Sequence, residues 1–332
     1  MSEASTEFGR RSENGEWRPP YPPKSNPLFE WPIKPFEVLR YVFGWPGMLW
    51  PRELVYFGLA AATWVITRNY IDEFVQIRAG WVALFFAKNF ALMWIVYGTY
   101  HLVLYVKKLH GAHRKYHPKW QQKGSKKFLF KNQVLDNMYR TLGSGCLIWT
   151  AYEVLYFHLL STGRLPMLEW ATNPVWFVVW FPLIPMWRLF HFYLIHKLIH
   201  WRPLMRTVHY VHHKNPNPGP WSGMAMHPVE HLLYLSVVLI HFVIPSHPLH
   251  FLMNAQLTAL TPAQSHHGFE GPLFGWWTSG SYYHYLHHRY VSCNFGDGIV
   301  PMDRWFGRYY DGLGTYRTKP NDAFGEDPEG SS

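Results

Sequence analysis

Residues 174–213 read PVWFVVWFPLIPMWRLFHFYLIHKLIHWRPLMRTVHYVHH, an apolar run that passes directly into paired histidines. The run from 174 to 195 has the character of a membrane helix, which Pro182 and Pro185 would kink and which tolerates such a kink when neighbours satisfy the freed carbonyls. On a helix, residues i, i+3 and i+4 share a face, so His196 and His200 point one way, as do His209, His212 and His213. A hydrophobic span delivering several imidazoles to one level predicts a membrane-embedded bundle with a metal site at its edge.

Working outward, further apolar runs lie at about 53–67, 79–106 and 141–162, and the second is long enough to cross ~30 Å of hydrocarbon. Two shorter runs, 229–245 and 248–262, meet at "IPSHP" and read as a hairpin, re-entrant or just spanning. The expected fold is all-α: an integral membrane helical bundle of about four transmembrane helices plus a short hairpin, capped by a cytoplasmic histidine-rich helical region. Residues 1–50 read as a polar, Pro- and aromatic-rich arm, either a disordered tail or one whose Trp17, Tyr21, Trp31, Trp45 and Trp50 rest on the membrane interface. Residues 51–315 form the expected single domain, and 316–332 a disordered tail.

Composition agrees. Of 332 residues, 48% are hydrophobic, 19% aromatic and only 16% charged, which excludes a disordered chain or a coiled coil. The mean hydropathy of -0.16 undercounts spans built from Trp, Tyr and His. Two cysteines, Cys146 and Cys293, cannot make a four-sulfur zinc site or a disulfide framework, so any metal must be held by histidine. The net charge of +10 is concentrated between the second and third long runs, at Lys107, Lys108, Arg114, Lys115, Lys119, Lys123, Lys126, Lys127 and Lys131. With apolar spans on both sides, that loop reads as a positive-inside signal in preference to a nucleic-acid site. It places the amino terminus, residues 196–228 and the carboxyl-terminal third on the cytoplasmic side.

Fifteen of the 21 histidines lie between 196 and 288. Besides the first two boxes there are "HPVEH" at 227–231, "SHHG" around 266 and "HYLHH" at 284–288, where His284, His287 and His288 again share a helical face. Eight imidazoles from three faces exceed the three or four protein ligands of one site and suggest two metal ions. Imidazole suits iron, copper and zinc, so the residue types alone do not choose. His227, Glu230 and His231 stand as either ligands or outer partners, since "HP" equally begins a helix with proline in its first turn. His158, His191, His241, His247 and His250, single histidines in apolar helices, read as core residues, and His101, His110, His113 and His117 as interfacial or solvated ones.

In order, H-x-x-x-H, H-x-x-H-H, a His-Pro step followed by an acid, a single His before Gly and a last H-x-x-H-H resemble the sterol desaturase / fatty acid hydroxylase family of membrane di-iron oxygenases. "HYLHHRYVSCNFG" and "MDRWFG" resemble its closing motifs, and the likeness runs from about 140 to 315. The resemblance implies that His196, His200, His209, His212, His213, His266, His284, His287 and His288 are metal ligands, with His227 and His231 as weaker candidates. One departure is His267, where many members have Asp. The resemblance further implies two iron ions, which zinc can replace during purification, and O2 as co-substrate for hydroxylation or desaturation of an unactivated C–H bond in a sterol, fatty acyl or related lipid. Iron supplies a redox step that zinc cannot.

No G-x-G-x-x-G fingerprint, haem or flavin motif is visible, so electrons are expected from a separate carrier, cytochrome b5-like or of the ferredoxin/reductase kind. A metal transporter would place acids inside its spans, and only Glu153 and Glu230 qualify. A non-catalytic lipid- or metal-binding relative with a structural zinc centre is the other alternative. The sequence leaves open which lipid is used, the oligomeric state, and whether the membrane is a bacterial inner membrane or the endoplasmic reticulum.

Overall fold

The computed structural model describes residues 9–20, 26–274, 277–278, 281–297 and 299–313. Its helices, in chain order, are α1 (Pro35–Phe43), α2 (Arg52–Thr67), α3 (Ala79–His101), α4 (Gln133–Arg140), α5 (Cys146–Ser161), α6 (Pro174–Ile199), α7 (Arg202–Leu204), α8 (Tyr210–His213), α9 (Pro228–Leu235), α10 (Ile240–Val243), α11 (Pro248–Leu260), α12 (Pro262–Ser265), α13 (Tyr282–Tyr290) and α14 (Met302–Trp305). The described strands are two short antiparallel pairs, Arg10–Arg11 with Trp17–Arg18 and Pro272–Phe274 with Trp277–Thr278.

Two helical stretches are long and apolar enough to cross a membrane, Ala79–Val106 with 28 residues and Pro174–Ile199 with 26. At ~1.5 Å per residue each exceeds the ~30 Å hydrocarbon thickness. Only 22% and 33% of their most apolar windows are buried, so these are not the core helices of a water-soluble protein. Leu84, Ile95, Val175 and Val178 lie on their uncovered faces. They account for two of the about four expected spans. Helices α2 and α5 have 16 residues each, ~24 Å of rise, but α2 runs on into the 3-10 turn Arg68–Val75 and α5 continues α4 through the π turn Thr141–Gly145.

The hairpin is also more specific than expected. Helix α11 has 13 residues, all buried, packed between α2 and α6. At ~20 Å it is too short to span, and it forms the bundle's central core. His247 caps it, with Nδ1 accepting from Leu249 N at 3.1 Å, and Pro248 occupies the first turn. Of the single histidines expected in the core, His241 and His250 are buried, while His158, His191 and His247 are half-buried at its margin. His241 meets Ser246 Oγ and Asn254 Nδ2 at 2.9 and 3.1 Å, and His250 meets Phe177 O at 3.0 Å.

Between α3 and α5, the acid Glu153 is fully buried and receives Lys88 Nζ at 2.8 and 2.9 Å and Asn89 Nδ2 at 2.7 Å. Two polar positions of an otherwise apolar α3 thus find their partner on the neighbouring helix.

The amino-terminal arm is partly anchored. Trp17 is buried, its ring 5.3 Å from Tyr116 and 5.2 Å from Tyr282, so it does not rest on a membrane interface. Trp31 and Trp45 are exposed, and Trp50 is half-buried with Nε1 donating to Phe43 O at 3.0 Å. Tyr21 and the tail 316–332 lie outside the described residues. Lys115 leaves the solvated basic loop, since it is buried and donates to His117 O, Lys119 O and Asn217 Oδ1 at 2.7–2.9 Å.

Candidate metal centre

The site begins where α6 ends. His196 sits in its last turn and His200 caps it. The chain then turns through Arg202–Leu204 and a π-helical turn, Met205–His209, before α8. A π turn widens the helix locally and is commonly found at functional sites. Behind α8, Asn215 Oδ1 accepts from Gln133 Nε2 and Asn137 Nδ2 at 2.9 Å each, and Lys214 pairs with Asp136. These contacts to α4 fix the histidine segment from outside.

Nine histidines converge in two groups: His196, His200, His209, His213 and His287, and then His212, His266, His284 and His288. Within each group the liganding nitrogens lie within 4.8 Å of one another. All are buried except the half-buried His200. The H-x-x-H-H boxes split between the groups. Adjacent residues on a helix are about 100° apart, so His212 and His213 turn to different groups, as do His287 and His288. The expectation that each box presents one common face is corrected accordingly: each doublet bridges two centres.

Several rings have fixed tautomers. His287 Nδ1 lies 2.6 Å from Cys293 O, His196 Nδ1 2.6 Å from Phe295 O, and His266 Nδ1 2.9 Å from Pro262 O. A carbonyl only accepts, so these Nδ1 atoms carry the protons and the Nε2 lone pairs are free. Those lone pairs then face other imidazole nitrogens. His287 Nε2 has His200 and His213 Nε2 at 3.2 and 3.1 Å, and His266 Nε2 has His212 and His284 Nε2 at 3.2 and 2.9 Å. One lone pair cannot accept from both neighbours. Meanwhile Nδ1 of His213 and both ring nitrogens of His288 are buried without hydrogen-bond partners among the described residues. Converging, unsatisfied nitrogen lone pairs in a buried site fit a bound cation, with the outer contacts fixing ring orientation.

Electrostatics point the same way. Burial, reinforced by neighbouring imidazoles, holds His200, His209, His213, His284, His287 and His288 well below the usual histidine range, and burial pushes His266 down to about 3. These rings are neutral at physiological pH and available to donate.

The carbonyls that orient His287 and His196 come from one loop. Asn294, in the left-handed region with φ 55°, donates from Nδ2 to Tyr283 O and Tyr310 O and accepts from Tyr310 N. Asp303 accepts from Phe295 N at 2.9 Å, Gly296 N at 2.7 Å and Tyr283 Oη at 2.7 Å. The "NFG" and "MDRWFG" motifs thus meet as one brace behind the histidines.

His227 and His231 stand outside both groups. His227 caps α9, its Nδ1 accepting from Val229 N at 3.2 Å; His231 lies against Ser144 Oγ at 3.2 Å and Met224 O at 3.0 Å. Glu230 contacts a grouped histidine, His209, through its Nδ1. His267 is buried with Nδ1 accepting from Phe269 N at 3.0 Å, and it is in neither group. Sequence reasoning missed the roles of Asp303, Asn294 and the two loop carbonyls. Their signal was the polar residues of the closing motifs, which no helical periodicity places.

A cavity opens onto the centre. Its volume, open mouth included, is about 860 Å³. His196, His209, His212, His266 and His284 form one end, and Phe192, Ile195, Ile199 and Met226 line apolar wall.

A helical scaffold with two apolar spans and two buried polyhistidine groups defines a membrane-associated metal-centre protein. Residues 181–308 match the fatty acid hydroxylase family model. That segment of the chain is similar to the family, and the chain is distantly similar to sterol desaturases and cholesterol 25-hydroxylase, in line with the likeness of the histidine boxes. A putative Delta(7)-sterol-C5(6)-desaturase 2 of Arabidopsis thaliana is 30% identical over 123 residues, 36% of this chain and 43% of the relative. Cholesterol 25-hydroxylase of Rattus norvegicus is 28% identical over 189 residues, 50% of this chain and 60% of the relative. A Delta(7)-sterol 5(6)-desaturase of Saccharomyces cerevisiae is 27% identical over 121 residues, 35% of this chain and 32% of the relative. The matches to these three relatives thus span between 32% and 60% of their lengths. No solved structure matches.

Proposed function

We propose that the protein is an O2-dependent di-iron oxidoreductase that hydroxylates or desaturates an unactivated C–H position of a membrane lipid. The observation that carries this reading is the pair of buried histidine groups, nine rings with converging lone pairs, at the end of a cavity walled by apolar side chains. His196, His200, His209, His213 and His287 would hold one iron and His212, His266, His284 and His288 the other. When bound, such a pair supplies O2 activation and the redox equivalents for C–H oxidation.

The chain's own residues do the rest. Phe192, Ile195, Ile199 and Met226 take an apolar substrate out of water and hold it against the histidines. Cys293 O, Phe295 O and Pro262 O keep three rings in the donating tautomer. The sterol names of the relatives support a sterol or similar lipid as substrate. Electrons come from a separate carrier, cytochrome b5-like or of the ferredoxin/reductase kind, on the cytoplasmic side where the basic loop places the site.

The test pairs metal analysis of the purified protein with mass spectrometry of lipids from cells with and without it. Two irons per chain, and a lipid that gains one oxygen atom or loses two hydrogens, are expected. Zinc alone, with no lipid change and no activity after loading with ferrous iron and an electron donor, would favour a structural zinc centre.

A further inference from the structure

The cavity has a second end, and it is polar. Arg188, Arg52 and Asp297 line it together with Thr261 and Gln264. Arg188 lies on α6, two turns before His196 and on the same face, so the polar end and the histidine level are ~12 Å apart along the helix with Phe192 between them.

Arg188 is under-satisfied. It is only 7% exposed, yet of its five N–H donors one makes a long hydrogen bond, from Nη1 to Thr261 Oγ1 at 3.3 Å, and the guanidinium also donates to the Tyr234 hydroxyl. Asp297 Oδ2 stands 3.9 Å from Nη2, beyond hydrogen-bond reach, and Nε is buried with no partner among the described residues. Thr261 gives its own proton to Leu257 O at 2.7 Å, and Tyr234 gives its proton to Thr258 O at 2.9 Å. Stranding a buried donor in this way is unfavourable, and an oxygen acceptor placed in the cavity would relieve it.

The charge balance selects which acceptor. Arg52 is held by Glu53, with Nε donating to Oε1 at 2.9 Å, and Asp297 is the carboxylate beside Arg188. Two guanidinium groups therefore face two carboxylates. A carboxylate, sulfate or phosphate on the ligand would add a third anion next to Asp297, and a plain hydrocarbon would leave the Arg188 donors stranded. An uncharged hydroxyl satisfies both sides, accepting from Arg188 and donating to Asp297.

We infer that Arg188 and Asp297 form a recognition site for an uncharged hydroxyl at one end of the lipid, and that this contact sets which part of the lipid reaches the histidines. The inference rests on the lipid oxygenase reading above, and it adds that the ligand is an alcohol in preference to a fatty acid, an anionic lipid or a hydrocarbon.

The experiment is competition binding to the full-length protein in detergent, without turnover, using two series of probes. One is cholesterol, cholesterol sulfate and cholest-5-ene; the other is 1-hexadecanol, hexadecanoate and hexadecane. In at least one series the alcohol is expected to bind about tenfold or more tightly than both its charged and its deoxy counterparts. Arg188→Gln and Arg188→Leu are expected to erase that preference while leaving binding of the hydrocarbon unchanged. Asp297→Asn is expected to narrow the gap between the alcohol and the charged probe. Equal binding across both series, tightest binding of the charged member, a preference untouched by both Arg188 variants, or binding of neither alcohol would overturn the inference. A preference for the alcohol without O2-dependent turnover of any lipid would count against the oxygenase reading alone. Turnover with no preference would count against the recognition site alone.

Discussion

Glu230 Oε1 lies 2.7 Å from His209 Nδ1, both groups buried, and the second carboxylate oxygen has no hydrogen-bond partner among the described residues. The Glu230 side chain accepts a hydrogen bond from His209 Nδ1–H, which turns the His209 Nε2 lone pair toward the first group and increases the ring's basicity. An acid next to a ligand-bearing histidine in an otherwise apolar helix therefore acts through the ring.

Glu230→Gln keeps the shape and an acceptor but removes the charge. The expected result is a loss of metal affinity of about 10- to 100-fold at the first group, with little change in folding. Chelator competition on the metal-loaded protein reads it, alongside circular dichroism. Unchanged metal affinity would mean that Glu230 only fills space.

Acid should weaken the metal-free fold. His266 is held at about 3 by burial in the folded chain, against about 6.5 when unfolded. Above about 6.5 the ring is neutral in both states and contributes no pH dependence. As pH falls from there toward about 3, the unfolded chain takes up a proton that the folded chain refuses, so stability drops continuously across that window. The other buried rings held low add to the same slope. Thermal unfolding of the metal-free protein from pH 7.5 to 5 is expected to show a falling midpoint, and a flat profile would show that these rings can protonate in place.

What could be read from the sequence follows from what is periodic. The i, i+3 and i+4 spacing of His209, His212 and His213, and of His284, His287 and His288, is local, so the boxes and their convergence were visible. The ~100° between adjacent helical residues separates the members of each doublet locally, but which group each ring joins depends on the π turn ending at His209 and on where α13 docks, which no local pattern encodes. The hairpin stood open between re-entrant and spanning because apolar character alone does not separate a lipid-facing helix from α11, buried on every side. Arg188 escaped notice inside an apolar run, and Asp303 inside a short polar motif, because each works through residues distant in sequence.

The Lys88–Glu153 pair predicts an asymmetric mutational result. Glu153 is fully buried and takes both the ammonium and Asn89 Nδ2, so Glu153→Leu alone leaves a largely buried cation without its anion. A loss of about 3–5 kcal/mol is expected from breaking such a pair, whereas the double variant Lys88→Met, Glu153→Leu should recover most of it. Thermal stability in detergent measures both. A double variant as unstable as the single one would mean that helix packing here depends on the polar network itself.

Asp303 offers the sharpest separation of the two histidine groups. Its carboxylate holds Phe295 N, Gly296 N and Tyr283 Oη, and the loop so fixed presents Cys293 O to His287 and Phe295 O to His196. Both of those histidines belong to the first group, while His266 of the second is oriented independently by Pro262 O. Asp303→Ala should therefore release the loop at a cost of about 3 kcal/mol and free His196 and His287 to rotate. The expected outcome is loss of metal from the first group with retention in the second, so the purified variant carries close to half the metal of the unaltered protein. Asp303→Asn, which keeps one acceptor oxygen, should fall between the two. Full metal content in Asp303→Ala would show that the loop carbonyls do not govern the rings, and complete loss would show that the two groups fill only together.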